Sequence, residues 1–199
     1  SSFTGNIYIR IHYSVLSISV LKKYSLCTFN EWINFHITYD RLAGQNNRWN
    51  FVINGELFIG GHGLAMEYGL SPFEWGMCEK NVSISFIRER AKELYGKEIS
   101  PVIIEEYYKN NDEKAIQIYN EYGYNLGIVL SHVINMIDPQ VISIGGGLSN
   151  AFDCFKESMF SVVQKHSPSF NANHTIIAQS KLRETSTMIG ACIMVKSKK

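Results

Sequence analysis

The sequence predicts an α/β fold, and three observations carry that expectation. Its second half reads strand, helix, strand, helix over Val141–Ile144, Asn150–Gln164, Thr175–Ala178 and Thr185–Lys196, the alternation that builds a sheet covered by helices. Its first third is rich in β-branched and aromatic residues. Within the second half lies Asp138-Pro139-Gln140-Val141-Ile142-Ser143-Ile144-Gly145-Gly146-Gly147-Leu148-Ser149, which reads as a helix end, a buried strand and a glycine turn opening a new helix. Such a turn either is a tight structural corner or lets backbone approach a flat or anionic ligand where a Cβ would intrude. Ser149 stands where an N-cap is wanted.

The elements follow in chain order. Ile7 to Val20 alternates roughly and predicts one long strand or two joined by a poor turn. Lys22 to Asn50 holds Tyr24, Phe29, Trp32, Phe35, Tyr39 and Trp49 without a clean period; with few interleaved basic residues, its aromatics read as packing groups rather than a base-stacking surface. Phe51 to Phe58 carries Asn54-Gly55 between apolar runs, the signature of a two-residue hairpin. A glycine loop at Gly60-Gly61-His62-Gly63 precedes a short helix or turn over Ala65–Tyr68. Val82 to Leu94 places Ile84, Ile87, Ala91 and Leu94 on one face and ends at Gly96. Ser100-Pro101 starts a short helix through Tyr108. Asp112 caps the longest helix, which runs to about Ile137 with apolar residues at Ile116, Tyr119, Leu126, Leu130, Val133, Ile134 and Ile137. Gly123, Gly127 and Ser131 recur every fourth residue along it, a smooth stripe on which a neighbour can pack closely.

Bulk composition bounds the function. The 199 residues are 45% hydrophobic, ample for a core, and 19 basic against 18 acidic residues leave a net charge of +1. The charges are interspersed, so no nucleic-acid stripe is present and no nucleic-acid partner is expected through this chain. Cys27, Cys78, Cys154 and Cys192 never form Cys-x-x-Cys, which argues against a zinc ribbon or a disulfide scaffold and for a reducing cytoplasm. No run of 18 apolar residues and no signal-peptide pattern occurs, so no membrane partner is expected. The chain begins Ser1-Ser2, as a processed chain or a piece of a longer one would. His12, His36, His132, His166 and His174 show no metal spacing, and His62 reads as an ordinary loop histidine. Glu105-Glu106 are neighbours on a helix, about 100° apart, and do not converge as a catalytic pair.

Several segments fall into a recognisable order: Ile7–Val20; Val52-Ile53-Asn54-Gly55-Glu56-Leu57; Gly61-His62-Gly63-Leu64-Ala65-Met66-Glu67-Tyr68-Gly69; Gly76-Met77-Cys78-Glu79 with Ser83; the helix into Asn135-Met136-Ile137-Asp138-Pro139; Ile144 to Ser149; and Met188-Ile189-Gly190-Ala191. In this order the chain resembles the C-terminal lobe of the ROK family of bacterial sugar kinases and sugar-responsive repressors. The resemblance implies an actin-like ATPase (ribonuclease H-like) lobe, a mixed sheet with flanking helices. It implies one such lobe over 1–199, with 22–50 as an insertion and the N-terminal catalytic lobe, its first phosphate loop and its general-base Asp absent.

It also implies site residues. Glu67 stands at the sugar-binding Glu of the family's Gly-x-Ala-Gly-Glu-x-Gly-His stretch, and Glu79 at the Glu of its Gly-Cys-Leu-Glu stretch; carboxylates accept charge-assisted hydrogen bonds from hydroxyls. Gly145, Gly146 and Gly147 would lie against the adenosine part of ATP. The departures are equally specific. Leu70 replaces the zinc-binding His and Met77 a zinc-binding Cys, so no zinc is expected, since Cys78 alone cannot supply four ligands. His12 to Ser19 lacks the glycines of the second phosphate loop. The implied function is weak binding of a small-molecule sugar, a nucleotide or both without phosphoryl transfer, or else sugar sensing in a repressor or a structural role in assembly. A homo-oligomer is expected.

Overall fold

The computed structural model describes residues 6–12, 32–39, 47–53, 56–58, 61–62, 68–74, 76–139, 141–145 and 147–180. Its elements are β1 (Asn6–His12), β2 (Trp32–Tyr39), β3 (Asn47–Ile53), β4 (Glu56–Phe58), β5 (Pro72–Phe73), β6 (Gly76–Met77), α1 (Cys78–Asn81), α2 (Ile84–Tyr95), α3 (Pro101–Lys109), α4 (Glu113–Ile137), β7 (Val141–Ile144), α5 (Phe152–His166), α6 (Pro168–Asn173) and β8 (Ile176–Gln179), with 3-10 turns at Tyr68–Leu70 and Gly147–Ala151. The chain divides into two compact units: 1–70, 139–149 and 175–199 form one, and 71–138 with 150–174 form the other.

The first unit is built on a six-stranded sheet in the order β4-β3-β2-β1-β7-β8. Strand β1 runs parallel to both β2 and β7, β7 runs parallel to β8, and β3 is antiparallel to β2 and β4. The Asn54-Gly55 hairpin expectation matches the pairing of Ile53 with Glu56 across two residues. Within 22–50, Trp32–Tyr39 is an interior strand paired on both sides. The period-2 signal is present there, Ile33, Phe35, Ile37 and Tyr39 alternating with Asn34, His36 and Thr38, but the irregular residues around it mask it. Parallel strands β7 and β8 bury Ile142, Ile144 and Ile177 on one face, while Ile176, on the other face of β8, is 58% exposed.

The second unit is helical and organised around α4. Asp112 is its N-cap, accepting from the Ala115 amide at 3.0 Å and from the Tyr95 hydroxyl. Ile118, Tyr119, Tyr122, Val129, Leu130, Val133 and Ile134 are buried along it, while Ile116 and Ile137 are half-buried. The small-residue stripe receives α5: an added Cβ at Gly123 would stand 2.5 Å from the Phe155 carbonyl oxygen. Ser131, the third member, turns its hydroxyl back onto the Gly127 carbonyl at 2.7 Å and so stays satisfied while buried. Tyr122 and Phe155 meet edge to face at 5.0 Å between ring centroids. Arg90 of α2 clamps Glu121 of α4 through both carboxylate oxygens, at 2.6 and 2.8 Å.

Helix ends follow local chemistry. Gly96 closes α2 with φ of 71°, a left-handed conformation that glycine adopts without strain. Ser100 precedes Pro101 at the start of α3 as expected, yet its side chain makes no cap hydrogen bond. An unexpected helix, α6, begins at Ser167-Pro168, where Ser167 does cap, accepting from the Phe170 amide at 3.2 Å. The expected helix over 185–196 lies outside the described residues.

Candidate functional site

The sheet order places a topological switch between β1 and β7. From β1 the sheet extends through β2 to one edge, and from β7 it extends through β8 to the other. In open sheets of parallel strands, ligands settle beyond the carboxyl ends at such a switch, because the chain leaves the two adjacent strands in opposite directions and opens a crevice. The register makes those ends flush, since Ile11 pairs with Ile144. The glycine turn comes directly after Ile144.

Gly145 is buried at the end of β7, and Gly147 is exposed at the start of the 3-10 turn Gly147–Ala151. Gly146 lies outside the described residues. The turn corrects one expectation, since Ser149 is not the N-cap of the following α-helix. It is fully buried within the 3-10 turn, and Ala151, with no side-chain cap, occupies the N-cap position of α5. The tighter i+3 pattern uses the amides that an N-cap would otherwise satisfy. Beside the turn, the Ser180 amide donates to the Ile144 carbonyl at 2.7 Å, and the Gln179 side-chain amide donates to the Ser149 carbonyl at 2.5 Å. Sequence reasoning does not single out Gln179. Only its register opposite Ile144 puts it there.

The expected sugar carboxylates divide. Glu67 lies outside the described residues, as do Tyr13 to Ser19, within the stretch where the second phosphate loop would fall. Glu79 is the second residue of α1, half-buried, in the helical unit. The structure thus describes Gly145 and Gly147 on one unit and Glu79 on the other. An open depression of about 520 Å³ on the helical unit is lined by Glu74, Asn81, Phe86, Asn120, Tyr124 and Asn125 among others, and Glu79 is not one of its described lining residues.

The residues at the family's zinc positions do not fit the metal. Leu70 and Met77 are exposed hydrophobic side chains at 39% and 42% accessibility, and neither is a zinc ligand. Cys78 is 1% exposed, and burial pushes its thiol up to about 11, against a smaller opposing effect of a backbone hydrogen bond. It is therefore a protonated thiol near neutral pH, and as a single sulfur it supplies one of the four ligands that a structural zinc needs. Among the described residues, no three His, Cys, Asp or Glu side chains group closely enough to hold an ion. Among them too, no helix is long and apolar enough to cross a membrane.

The model of the ROK family matches residues 49–198. This chain belongs to the ROK family. It is similar to the N-acetyl-D-glucosamine kinase of Pectobacterium atrosepticum, with 24% identity over 140 residues that cover 60% of this chain and 46% of the kinase. Among solved structures, it resembles a ROK family transcriptional regulator described as a homologue of the E. coli MLC protein, with TM-score 0.66 and 20% identity over 84% of this chain and 46% of the regulator. It also resembles a ROK family glucokinase from Streptomyces griseus in complex with glucose and AMPPNP, with TM-score 0.60 and 18% identity over 84% of this chain and 61% of the glucokinase. At these identities the structural likeness establishes the fold, which is the actin-like ATPase fold of ROK sugar kinases. The chain spans about half the length of the curated relatives it matches.

Proposed function

We propose that this chain is a ROK C-terminal lobe that binds the adenosine end of ATP on Gly145–Gly147 and a small sugar through Glu67 and Glu79, and that it does not transfer phosphate by itself. The observation that carries this reading is the glycine turn at the carboxyl end of β7, beside the end of β1, at the switch point of the sheet. A base on the sugar hydroxyl and charge stabilisation at the phosphate are both required for transfer, and no residue matching the family's catalytic Asp or its glycine-rich phosphate loops stands in this chain's motifs. In this reading 1–199 is a single lobe of the family, with 22–50 added to the family pattern. The similarity to a glucokinase that binds glucose and AMPPNP supports hexose and ATP as the ligand classes.

Calorimetry of the purified chain with AMPPNP and with glucose or N-acetylglucosamine tests the reading, alongside a coupled assay for ADP release. The expected result is measurable, weak binding with no turnover. Absence of AMPPNP binding removes the nucleotide assignment, and sugar-dependent ADP release removes the non-catalytic one.

A second reading, the sugar-sensing effector domain of a ROK repressor, is favoured by the likeness to a ROK transcriptional regulator. It differs in one outcome: sugar binds and AMPPNP does not. Silence toward both ligands leaves a role in assembly, for which a homo-oligomer is the expected form.

A further inference from the structure

The glycine turn is held at both ends by Gln179, the last residue of β8, and by Ser180, which follows it. Strands β7 and β8 run parallel with Ile144 opposite Gln179, and the ladder continues one step further where the Ser180 amide donates to the Ile144 carbonyl at 2.7 Å. Beyond that step β7 has ended. There the side chain of Gln179 takes over, its Nε2 donating to the carbonyl of Ser149 at 2.5 Å. Two adjacent residues at the end of β8 therefore tether the chain just before Gly145 and just after Leu148. The tethered segment needs such restraint: three consecutive glycines lose more conformational entropy on ordering than any other tripeptide. Ser149 and Ser180 are both buried, at 0% and 4% accessibility, and Gln179 is half-buried, so the tether lies on the protein side of the turn, where it competes little with water.

We propose that Gln179 is a positioning residue for the ligand loop Gly145–Gly147, its side-chain amide serving as an extra rung of the sheet that fixes the loop in a binding geometry before ligand arrives. The inference rests on the reading of that loop as the adenosine site. Glutamine suits the role because its amide donates at every pH and carries no charge that would attract or repel a phosphate. Preorganisation of this kind raises affinity by removing the ordering cost from the binding step. Its loss should appear as weaker nucleotide binding with unchanged sugar binding.

The test uses the whole chain in three forms: unaltered, Gln179→Met, which keeps length and removes the donor, and Gln179→Lys, which restores a donor of similar reach. Circular dichroism and a thermal melt establish that each is folded. Hydrogen exchange of the peptide covering residues 145–149 reads the tether directly, without any ligand. Faster exchange there in Gln179→Met, restored in Gln179→Lys, is the expected result. With AMPPNP, the dissociation constant of Gln179→Met should rise roughly three- to tenfold, the loss of one neutral hydrogen bond, while affinity for glucose should not move; Gln179→Lys, whose charge attracts phosphate, is compared by exchange alone. Equal exchange in unaltered and Gln179→Met protein overturns the proposal, as does an equal AMPPNP affinity. If AMPPNP binds neither unaltered nor Gln179→Met protein, the adenosine assignment falls, and exchange still decides whether Gln179 orders the loop.

Discussion

Gly127 of α4 and Val162 of α5 approach so closely that a Cβ on the glycine would stand 2.7 Å from the Val162 Cβ and 2.8 Å from the Met159 carbonyl oxygen. One turn earlier, the same construction at Gly123 would bring a Cβ to 2.5 Å from the Phe155 carbonyl oxygen and 2.9 Å from the Ser158 Cβ. The two glycines set the spacing of the α4–α5 pair. That pair forms the core of the helical unit.

Alanine at these positions decides between two opposed effects. Helix propensity favours alanine over glycine by about 1 kcal/mol, whereas overpacking a tight contact costs about 1–3 kcal/mol. The obstructing atoms include backbone carbonyl oxygens, which cannot rotate away, so packing wins. Gly123→Ala and Gly127→Ala are each expected to lower unfolding stability by about 1–2 kcal/mol in a urea titration, Gly123→Ala by at least as much as Gly127→Ala. Gly61 provides the control, because a Cβ there meets nothing within 4 Å; Gly61→Ala should fall within about 0.5 kcal/mol of the unaltered chain. A raised urea midpoint for Gly123→Ala would show that α5 yields without cost.

Ser100-Pro101 and Ser167-Pro168 pose a matched comparison. Ser167 is fully buried; its hydroxyl donates to Asn135 Oδ1 at 2.8 Å and accepts from the Phe170 amide at 3.2 Å. Ser100 is exposed and makes no side-chain cap. Ser167→Ala should therefore cost about 1–2 kcal/mol by leaving two partners unmet, and Ser100→Ala should stay within about 0.5 kcal/mol. Equal effects, read from denaturant midpoints, would refute the distinction.

That pair also marks how far local signals reach. Helices α2 and α4, the Asn54-Gly55 hairpin and strands β7 and β8 are legible because each combines a period with a start or stop residue: Gly96 ends one helix, and Asp112 begins another with the cap it promises. The same Ser-Pro signal stands before α6, but six residues carry too little apolar period to stand out. Strand β2 is hidden although Ile33, Phe35, Ile37 and Tyr39 alternate cleanly, because the irregularly spaced aromatic residues of 22–50 blur its period and the strand depends on partners on both sides. At the candidate site, the glycine turn is visible in the sequence and Gln179 is not. A glutamine at a strand end carries no pattern, and its partner Ser149 lies thirty residues away in sequence. Ser149 itself reads as a cap because the sequence does not distinguish a 3-10 start from an α-helical one.

The buried thiols yield a chemical prediction. Burial raises Cys78 to about 11 and Cys154 likewise to about 11. Thiolate is the reactive and metal-binding form, so at pH 8 both cysteines should resist iodoacetamide in the folded chain and react on denaturation, as read by peptide mass mapping. With Leu70 and Met77 where the family's ligands stand, metal analysis of the purified chain should find no stoichiometric zinc. Rapid native labelling of Cys78, or one zinc per chain, contradicts this account of the site.

Acid should weaken the α2–α4 clamp. Burial raises the Glu121 carboxyl, but hydrogen bonds from Arg90 and Gln117, with the Arg90 charge, outweigh it and hold the folded pKa below the usual carboxylate value. A carboxylate depressed on folding contributes stability that is complete above its unfolded pKa, about 4.3 for Glu, and is lost as pH falls through the lower folded value. Arg90 and Glu121 remain 27% and 34% exposed, so solvent screening limits the contribution to about 0.5–1 kcal/mol. Glu121→Gln should thus be less stable than the unaltered chain at pH 7 by about that amount, and the gap should close as pH falls below about 4. Arg90→Gln should narrow in the same way, because it removes the other half of the clamp. The comparison needs only denaturant midpoints at several pH values, and a Glu121→Gln gap that widens in acid would mean that the carboxylate is held against its preference rather than by it.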